Sequence, residues 1–325
     1  MNKSSLIISL LFAAVFGTVL AQKKEQAKTW SEKAAARFGD KPSAKDKEEI
    51  AANIPEATKI PQSDRKVLVF WRCEGFIHTS IPFGNYALEQ IAEQTGAFTI
   101  ELADEYGVFT KKNLAAYDAI LFNNTTNLIP NESQQEAILD FIRSGKGIVG
   151  LHAAADNFKK WEEGIALMGG VFDGHPWTAG GTWAFKLDDP KNSLNAAFDG
   201  EGFWHKDEIY WYKPDSFQGR DRLRVLLSLD MSHPQNAVPL KNEKFKAKVP
   251  ADPTNLDVPV SWCREVGKGR LFYTNLGHND MTFANKTVLT HILDGIQFAL
   301  GDLEADAIPS SEAKLSAVKA PKKSD

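Results

Sequence analysis

The sequence predicts an α/β fold, a parallel sheet with helices on both faces and antiparallel strands added at its edge. Three observations predict it. Short continuous apolar runs such as Ile148-Val-Gly-Leu151 are what strands buried on both faces require. Capped stretches of helical length lie between these runs, so strand and helix alternate at βα spacing. Beyond Met168 the chain becomes rich in glycine and aromatic residues, which suits turns and strands added at the sheet edge or over its mouth.

The elements follow in order. Lys66-Val-Leu-Val-Phe-Trp71 reads as the first strand and leads through Arg72–His78 to a helix from about Pro82 to Thr95, with proline in the first turn. Phe98–Leu102 is a second strand, followed by a loop and a short helix near Lys112. Asp118–Phe122 is a third strand, ending in Asn123-Asn-Thr-Thr126. Helix signals run from Asn131 to Arg143, with Asn131 or Ser133 as cap and Gly145 as stop. Ile148–Leu151 is the fourth strand, and it ends in His152. Three alanines allow a tight turn there, and Asp156 is expected to cap a helix from Phe158 to Met168. Gly169–Trp177, Gly180–Leu187 and Phe203–Tyr212 are partly extended, and Val225–Leu229 is a buried strand. Residues 241–255 read as an exposed excursion. Val258–Glu265 and Gly269–Asn275 form a hairpin around Val266-Gly-Lys-Gly269, and a last helix, Asn285–Leu300, closes the core.

The two ends read differently. Met1-Asn-Lys3, the apolar run Leu6–Val19 and Val19-Leu20-Ala21 have the order of a secretory signal peptide cleaved after Ala21, so a periplasmic or secreted protein is expected. Residues 22–64 are expected as a poorly ordered extension, perturbed by Pro42, Pro55 and Pro61, with a helix near Thr29–Phe38. The folded domain is expected over 65–301 and a disordered tail over 302–325. No later stretch is apolar enough to span a membrane. A net charge of −4 with the signs mixed along the chain argues against a nucleic-acid partner. Cys73 and Cys263 are the only cysteines, too few for a disulfide scaffold, though they could form one bridge.

In a parallel sheet, ligands bind beyond the carboxyl ends of the strands. His78 follows the first strand, His152 ends the fourth, and His278 follows the second hairpin strand. If these strands run the same way, the three imidazoles meet at one crevice. Glu208 is the chosen carboxylate, with Asp207 second. Three neutral imidazoles and a carboxylate suit a divalent metal such as zinc. Without metal, the same residues could serve as an acid–base pair, for example His152 or His278 with Glu208. Trp71, Asp156, His175, Trp183, Asp207 and Asn279 are expected to contact a substrate, since tryptophan faces suit the apolar faces of sugar rings. Trp177, Trp204 and Trp211 are expected near the same mouth. His205, His233 and His291 read as structural or surface residues. No Gly-rich phosphate loop is present, because Gly145-Lys-Gly147 precedes a strand rather than following one.

Several motifs together carry a family resemblance: Gly75-Phe-Ile-His-Thr-Ser-Ile81, Gly147-Ile-Val-Gly-Leu-His-Ala-Ala-Ala-Asp156, Gly169-Gly-Val-Phe-Asp-Gly-His-Pro176, Asp207-Glu-Ile-Tyr210 and Gly267-Lys-Gly-Arg-Leu-Phe-Tyr-Thr-Asn-Leu-Gly-His278. In this order they resemble the ThuA-like (trehalose utilisation) family over roughly Lys66–Leu300. The resemblance implies a flavodoxin-like sheet similar to that of class I glutamine amidotransferases. In those enzymes the elbow after the strand carries a catalytic cysteine; here that position is His152, which argues against glutamine hydrolysis. The resemblance also implies use of trehalose-type disaccharides through keto-sugar intermediates.

Two readings follow. One is an exported enzyme acting on a sugar or keto-sugar by acid–base or metal-assisted hydrolysis or isomerisation at His78, His152, Glu208 and His278. The other is a non-catalytic carbohydrate-binding or assembly module on the same scaffold. The expected partner in both is a small carbohydrate, and the sequence leaves the oligomeric state open.

Overall fold

A computed structural model describes residues 28–61, 63–246, 249 and 252–322. The expected signal peptide lies outside the described residues. Strands β1 (Lys66–Phe70), β2 (Thr99–Ala103), β3 (Ala119–Asn123), β4 (Gly147–Leu151), β6 (Thr182–Leu187), β7 (Phe203–Lys206), β9 (Arg224–Leu229), β10 (Pro259–Val266) and β11 (Gly269–Thr274) form one sheet in the order β2-β1-β3-β4-β11-β10-β9-β6-β7. The first five strands of that order are parallel, and the rest are added antiparallel. The parallel part therefore has the 2-1-3-4-5 order of a flavodoxin-like sheet. Strands β5 (Phe172–Trp177) and β8 (Ile209–Tyr212) pair apart from it.

The alternating side chains of the central strands build two apolar layers. Val67 and Val69 face the layer formed with helices Ile81–Thr95 and Lys286–Leu300, while Leu68 and Phe70 face the one formed with helix Glu132–Arg143. Asn131 caps that last helix through a capping box, as its sequence position suggested. Gly295 lets helix Lys286–Leu300 lie against β11, because a Cβ there would overlap the Phe272 ring. The hairpin between β10 and β11 turns at Gly267, whose φ of +64° favours glycine.

The ladder is in register. Phe70 pairs with Phe122, Phe122 with Gly150, Asn123 with Leu151 and Leu151 with Thr274, so four strands end level. Their following loops all leave the same edge of the sheet. His78, His152 and His278 are carried to one rim by this arrangement.

Three expectations are corrected. The extension expected over 22–64 is ordered in its described part. The helix expected near Thr29–Phe38 is present as Trp30–Phe38 and is joined by Ala44–Ala52; each begins with a capping box, and Trp30, Ala34 and Ile50 are buried. These few apolar residues give little periodic signal, yet each fills a pocket against the domain. The tail expected to be disordered is packed as far as its described part goes: Val318 pairs with Leu187, Ala320 N–H donates to Asp230, and Asp306 pairs with Arg224. These are mainly backbone and ion-pair contacts, which hydrophobic patterning does not reveal. The third correction concerns the helix expected from Phe158, which starts at Glu162. Phe158 takes a φ of +58°, and Asp156 pairs with Lys159 at 2.7 Å instead of capping. Among the described residues no helix is long and apolar enough to cross a membrane.

Candidate functional site

The site begins with the turn after β4. His152 adopts a φ of +42°, a left-handed conformation that costs a non-glycine residue of the order of 1–3 kcal/mol and persists only where its surroundings impose it. Those surroundings are specific. The Tyr273 hydroxyl donates to the His152 carbonyl at 2.7 Å, and His152 Nδ1 lies 2.7 Å from the carbonyl oxygen of Asn275. A carbonyl only accepts, so Nδ1 carries the proton and Nε2 presents its lone pair to the crevice.

Glu208 is brought there by stitching the 207–210 segment onto the loop after β11. The Asp207 carboxylate accepts from the amides of Gly277 at 2.7 Å, Asn279 at 2.9 Å and Glu208 at 3.0 Å. Asn275 Oδ1 accepts from Tyr210 N–H at 2.9 Å. Trp183 Nε1 donates to the Asp207 carbonyl at 2.9 Å. Glu208 then stands among imidazoles: its Oε1 is 3.2 Å from His278 Nδ1 and 3.9 Å from His152 Nε2, and its Oε2 is 3.2 Å from His175 Nδ1. His152 Nε2 and His278 Nδ1 are 3.1 Å apart. The His78 ring stands edge-on to both the His152 and His278 rings, at 5.1 and 5.0 Å between centroids.

The donors of His78, His152, Glu208 and His278 all lie within 4.8 Å of one another. A tetrahedral zinc with bonds of about 2.0–2.1 Å holds its ligand atoms roughly 3.3 Å apart, which compares with the 3.1, 3.2 and 3.9 Å between the donors of His152, His278 and Glu208. His78 Nδ1 is buried with no hydrogen-bond partner, a polar atom that a cation or substrate would satisfy. The backbone carbonyl that fixes the His152 ring is the kind of outer partner that orients a metal-bound imidazole. The four residues fit a divalent cation.

For His78 and His152 the electrostatics agree. Burial, helped by the neighbouring His278, pushes His78 down to about 3. Burial, then the neighbouring His78 and His278, holds His152 well below the usual histidine range. Both rings are therefore neutral and able to ligate near pH 7. Burial also opposes charge on His278, but the Glu208 carboxylate, with Asp207 and Asp280 nearby, more than offsets it and holds His278 above the ordinary value.

A cleft of about 610 Å³ opens beside this cluster, lined among others by His278, Thr79, His205, Lys206, Asp280 and Met281. Of the residues expected to contact substrate, His175 joins the cluster and is 46% exposed. Asn279 lines the cleft, with its amide held by the carbonyls of Ala179 and Lys206. The others do not line it. Asp207 is fully buried as the clasp just described, and Asp156 is buried against Lys159. Trp183 is buried beneath Asp207, and Trp71 packs on Trp30 and Phe38. Trp177 is buried and stacks on Trp211, and Trp204 donates to the carbonyl of Pro321. Trp177 and Trp183 are core, because the added strands need apolar filling, whereas Trp71, Trp204 and Trp211 are partly buried. Of the histidines read as structural, His291 bonds Ser261 and the Leu194 carbonyl, and His233 bonds the Ala320 carbonyl. His205 bonds Thr282 and also lines the cleft. Tyr273 and Asn275 were not singled out from sequence, although Asn275 follows directly on a parallel strand. Cys73 and Cys263 are both free and buried, and burial pushes the Cys73 thiol up to about 11.

The 2-1-3-4-5 parallel sheet is consistent with a glutamine amidotransferase-like fold, and His152 stands at the elbow after β4. Residues 66–299 match the ThuA family, described as trehalose utilisation, and the chain belongs to that family. Membership implies a role in trehalose utilisation. Among solved structures, a ThuA-like protein from Bacteroides uniformis is 21% identical with a TM-score of 0.56, the match covering 75% of this chain and 94% of that one. A ThuA-like protein from Parabacteroides merdae is 17% identical with a TM-score of 0.54, covering 73% of this chain and 90% of that one. At such identities the likeness bears on the fold alone. No curated protein matches the chain.

Proposed function

We propose that the protein is an exported enzyme acting on a sugar or keto-sugar of trehalose-type disaccharide metabolism, by acid–base or metal-assisted hydrolysis or isomerisation. The observation that carries this reading is the meeting of His78, His152, Glu208 and His278 at the rim of the parallel sheet, beside an open cleft. Export rests on the basic, apolar and small-residue order of residues 1–21. Family membership supports the sugar class.

Hydrolysis and isomerisation both need one proton taken and another delivered. Glu208 Oε1 and Oε2 stand 3.2 Å from the Nδ1 atoms of partly buried His278 and half-exposed His175, so the carboxylate can relay a proton between them. The Nδ1 proton of His152 is held by the Asn275 carbonyl, which keeps its Nε2 directed at the same point. His78, His152, Glu208 and His278 would hold a divalent cation, and that ion would polarise a carbonyl or lower the pKa of water. The thiol chemistry of the amidotransferases has no counterpart, since neither cysteine is at the elbow.

The test is turnover of 3-keto-glucosides by purified protein whose metal content has been measured. His152→Ala and Glu208→Gln are each expected to lower turnover by about 10²–10⁴-fold and to reduce bound metal. Unchanged turnover in His152→Ala would remove the proposed centre. Saturable sugar binding without any product would point instead to a binding module.

A further inference from the structure

The aromatic residue exposed beside the cluster is not a tryptophan but Phe76. Its residue surface is 58% accessible, in contrast to the buried Trp177 and Trp183. Its ring lies edge-on to the His78 ring at 4.8 Å between centroids, next to one of the four converging donors. The loop that carries it is fixed on both sides. Thr126 Oγ1 donates to the Phe76 carbonyl at 2.9 Å and accepts from Gly75 N–H at 3.2 Å, and Glu74 N–H donates to the Thr126 carbonyl at 2.8 Å.

A second support comes from the extension. Arg37, at the end of helix Trp30–Phe38, donates through Nε to the Ile77 carbonyl at 2.9 Å and places its guanidinium 5.3 Å from the centre of the Phe76 ring. The same helix is anchored by Trp30, which packs on Trp71 and donates to Asp104 at 3.0 Å. The matched family region begins at residue 66, so this helix lies outside it. Leaving a phenylalanine this exposed forgoes the burial that normally stabilises one, yet here its backbone is held rigid and its ring is set against the donor set. A sugar ring has an apolar C–H face and a hydroxylated rim, which matches an aromatic surface bordered by polar donors.

We propose that Phe76, steadied by Arg37 of the N-terminal helix, is the platform on which a pyranose ring stacks to reach the His78, His152, Glu208 and His278 centre. The proposal rests on the carbohydrate reading of that centre, and it makes the N-terminal helix part of the substrate site.

Phe76→Ala, Phe76→Trp and Arg37→Gln are compared with the wild type in the full-length protein. The readouts are KM and kcat for a 3-keto-glucoside, saturation-transfer NMR with trehalose, and bound metal as a control on the centre. Phe76→Ala is expected to raise KM about five- to tenfold, with kcat within about twofold and metal content unchanged. Phe76→Trp keeps a stacking face and should stay within about twofold of wild-type KM, while Arg37→Gln should give a smaller rise than Phe76→Ala. An unchanged KM in Phe76→Ala, or a Trp variant as impaired as the Ala variant, overturns the platform while leaving the centre standing. If the wild type neither binds nor turns over any sugar, the platform falls together with the carbohydrate reading.

Discussion

His152 concentrates the physics of the site in one residue. Its left-handed backbone is held by the Tyr273 hydroxyl, which also accepts from Asn275 Nδ2 at 3.2 Å and meets the Tyr212 hydroxyl at 3.2 Å. Tyr273→Phe would leave the buried His152 carbonyl without its donor, and we expect a loss of about 1–3 kcal/mol in denaturant unfolding together with weaker metal binding. Wild-type stability and metal affinity in that variant would show that the turn does not depend on this hydroxyl. His152 was legible in the sequence as a candidate, because a polar residue directly after an apolar run marks the mouth of a parallel sheet. The residues that hold the site together were not. Asp207 reads like a substrate ligand, and its role as a clasp for Gly277 and Asn279 emerges only once segments about seventy positions apart are adjacent. Trp71 and Trp183 misled for a similar reason, since aromatic chemistry is the same in a core as at a mouth.

At the scale of elements, helix Lys286–Leu300 ties the extension to the sheet. Thr58 Oγ1 donates to Asp294 Oδ1 at 2.5 Å, and Gln297 Oε1 accepts from Lys59 N–H at 3.2 Å. Burial pushes Asp294 up to about 6, with Thr58 only partly opposing it. Its folded pKa is thus raised, so its contribution to stability is full below the ordinary carboxylate value of about 3.9 and is lost as pH rises through about 6. Asp294→Asn should therefore gain about 2–3 kcal/mol over the wild type at pH 7 and nothing at pH 4. Urea melts at pH 4, 5, 6 and 7 check this, and a difference that does not vary with pH would rule it out. His291 on the same helix has the opposite sign: burial pushes it down to about 4, so its contribution is present above about 6.5 and is lost as pH falls. The strands and long helices around these groups were readable from run length, caps and stops. The start of helix Glu162–Met168 was not, because Asp156 has the chemistry of a cap but is drawn to Lys159.

For the whole molecule, the centre unites loops from three parallel strands with the segment before β8, so anything bound there acts as a cross-link between distant parts of the chain. Zinc added at about a hundredfold excess over its Kd should stabilise the fold by about 2.7 kcal/mol and raise Tm accordingly. Differential scanning calorimetry with and without zinc measures this, and Glu208→Gln should abolish most of the shift. Identical melting curves for the wild type in both conditions would contradict the metal reading. The described residues outside the sheet's main run are also part of this assembly: Val318 and Ala320 pair with the sheet's added half, and Arg37 supports the loop of His78.

By itself the sequence determined the alternation of buried strands and capped helices and the family, and it offered His78, His152 and His278 as candidates, because these depend on local patterning and on residues that follow strands. Only the tertiary structure decided the in-register ladder that levels the strand ends, the burial of Trp177 and Trp183, the exposure of Phe76 and the packing of the described residues before β1 and after Leu300. Each of these depends on which distant surfaces meet, and a linear pattern carries no record of that.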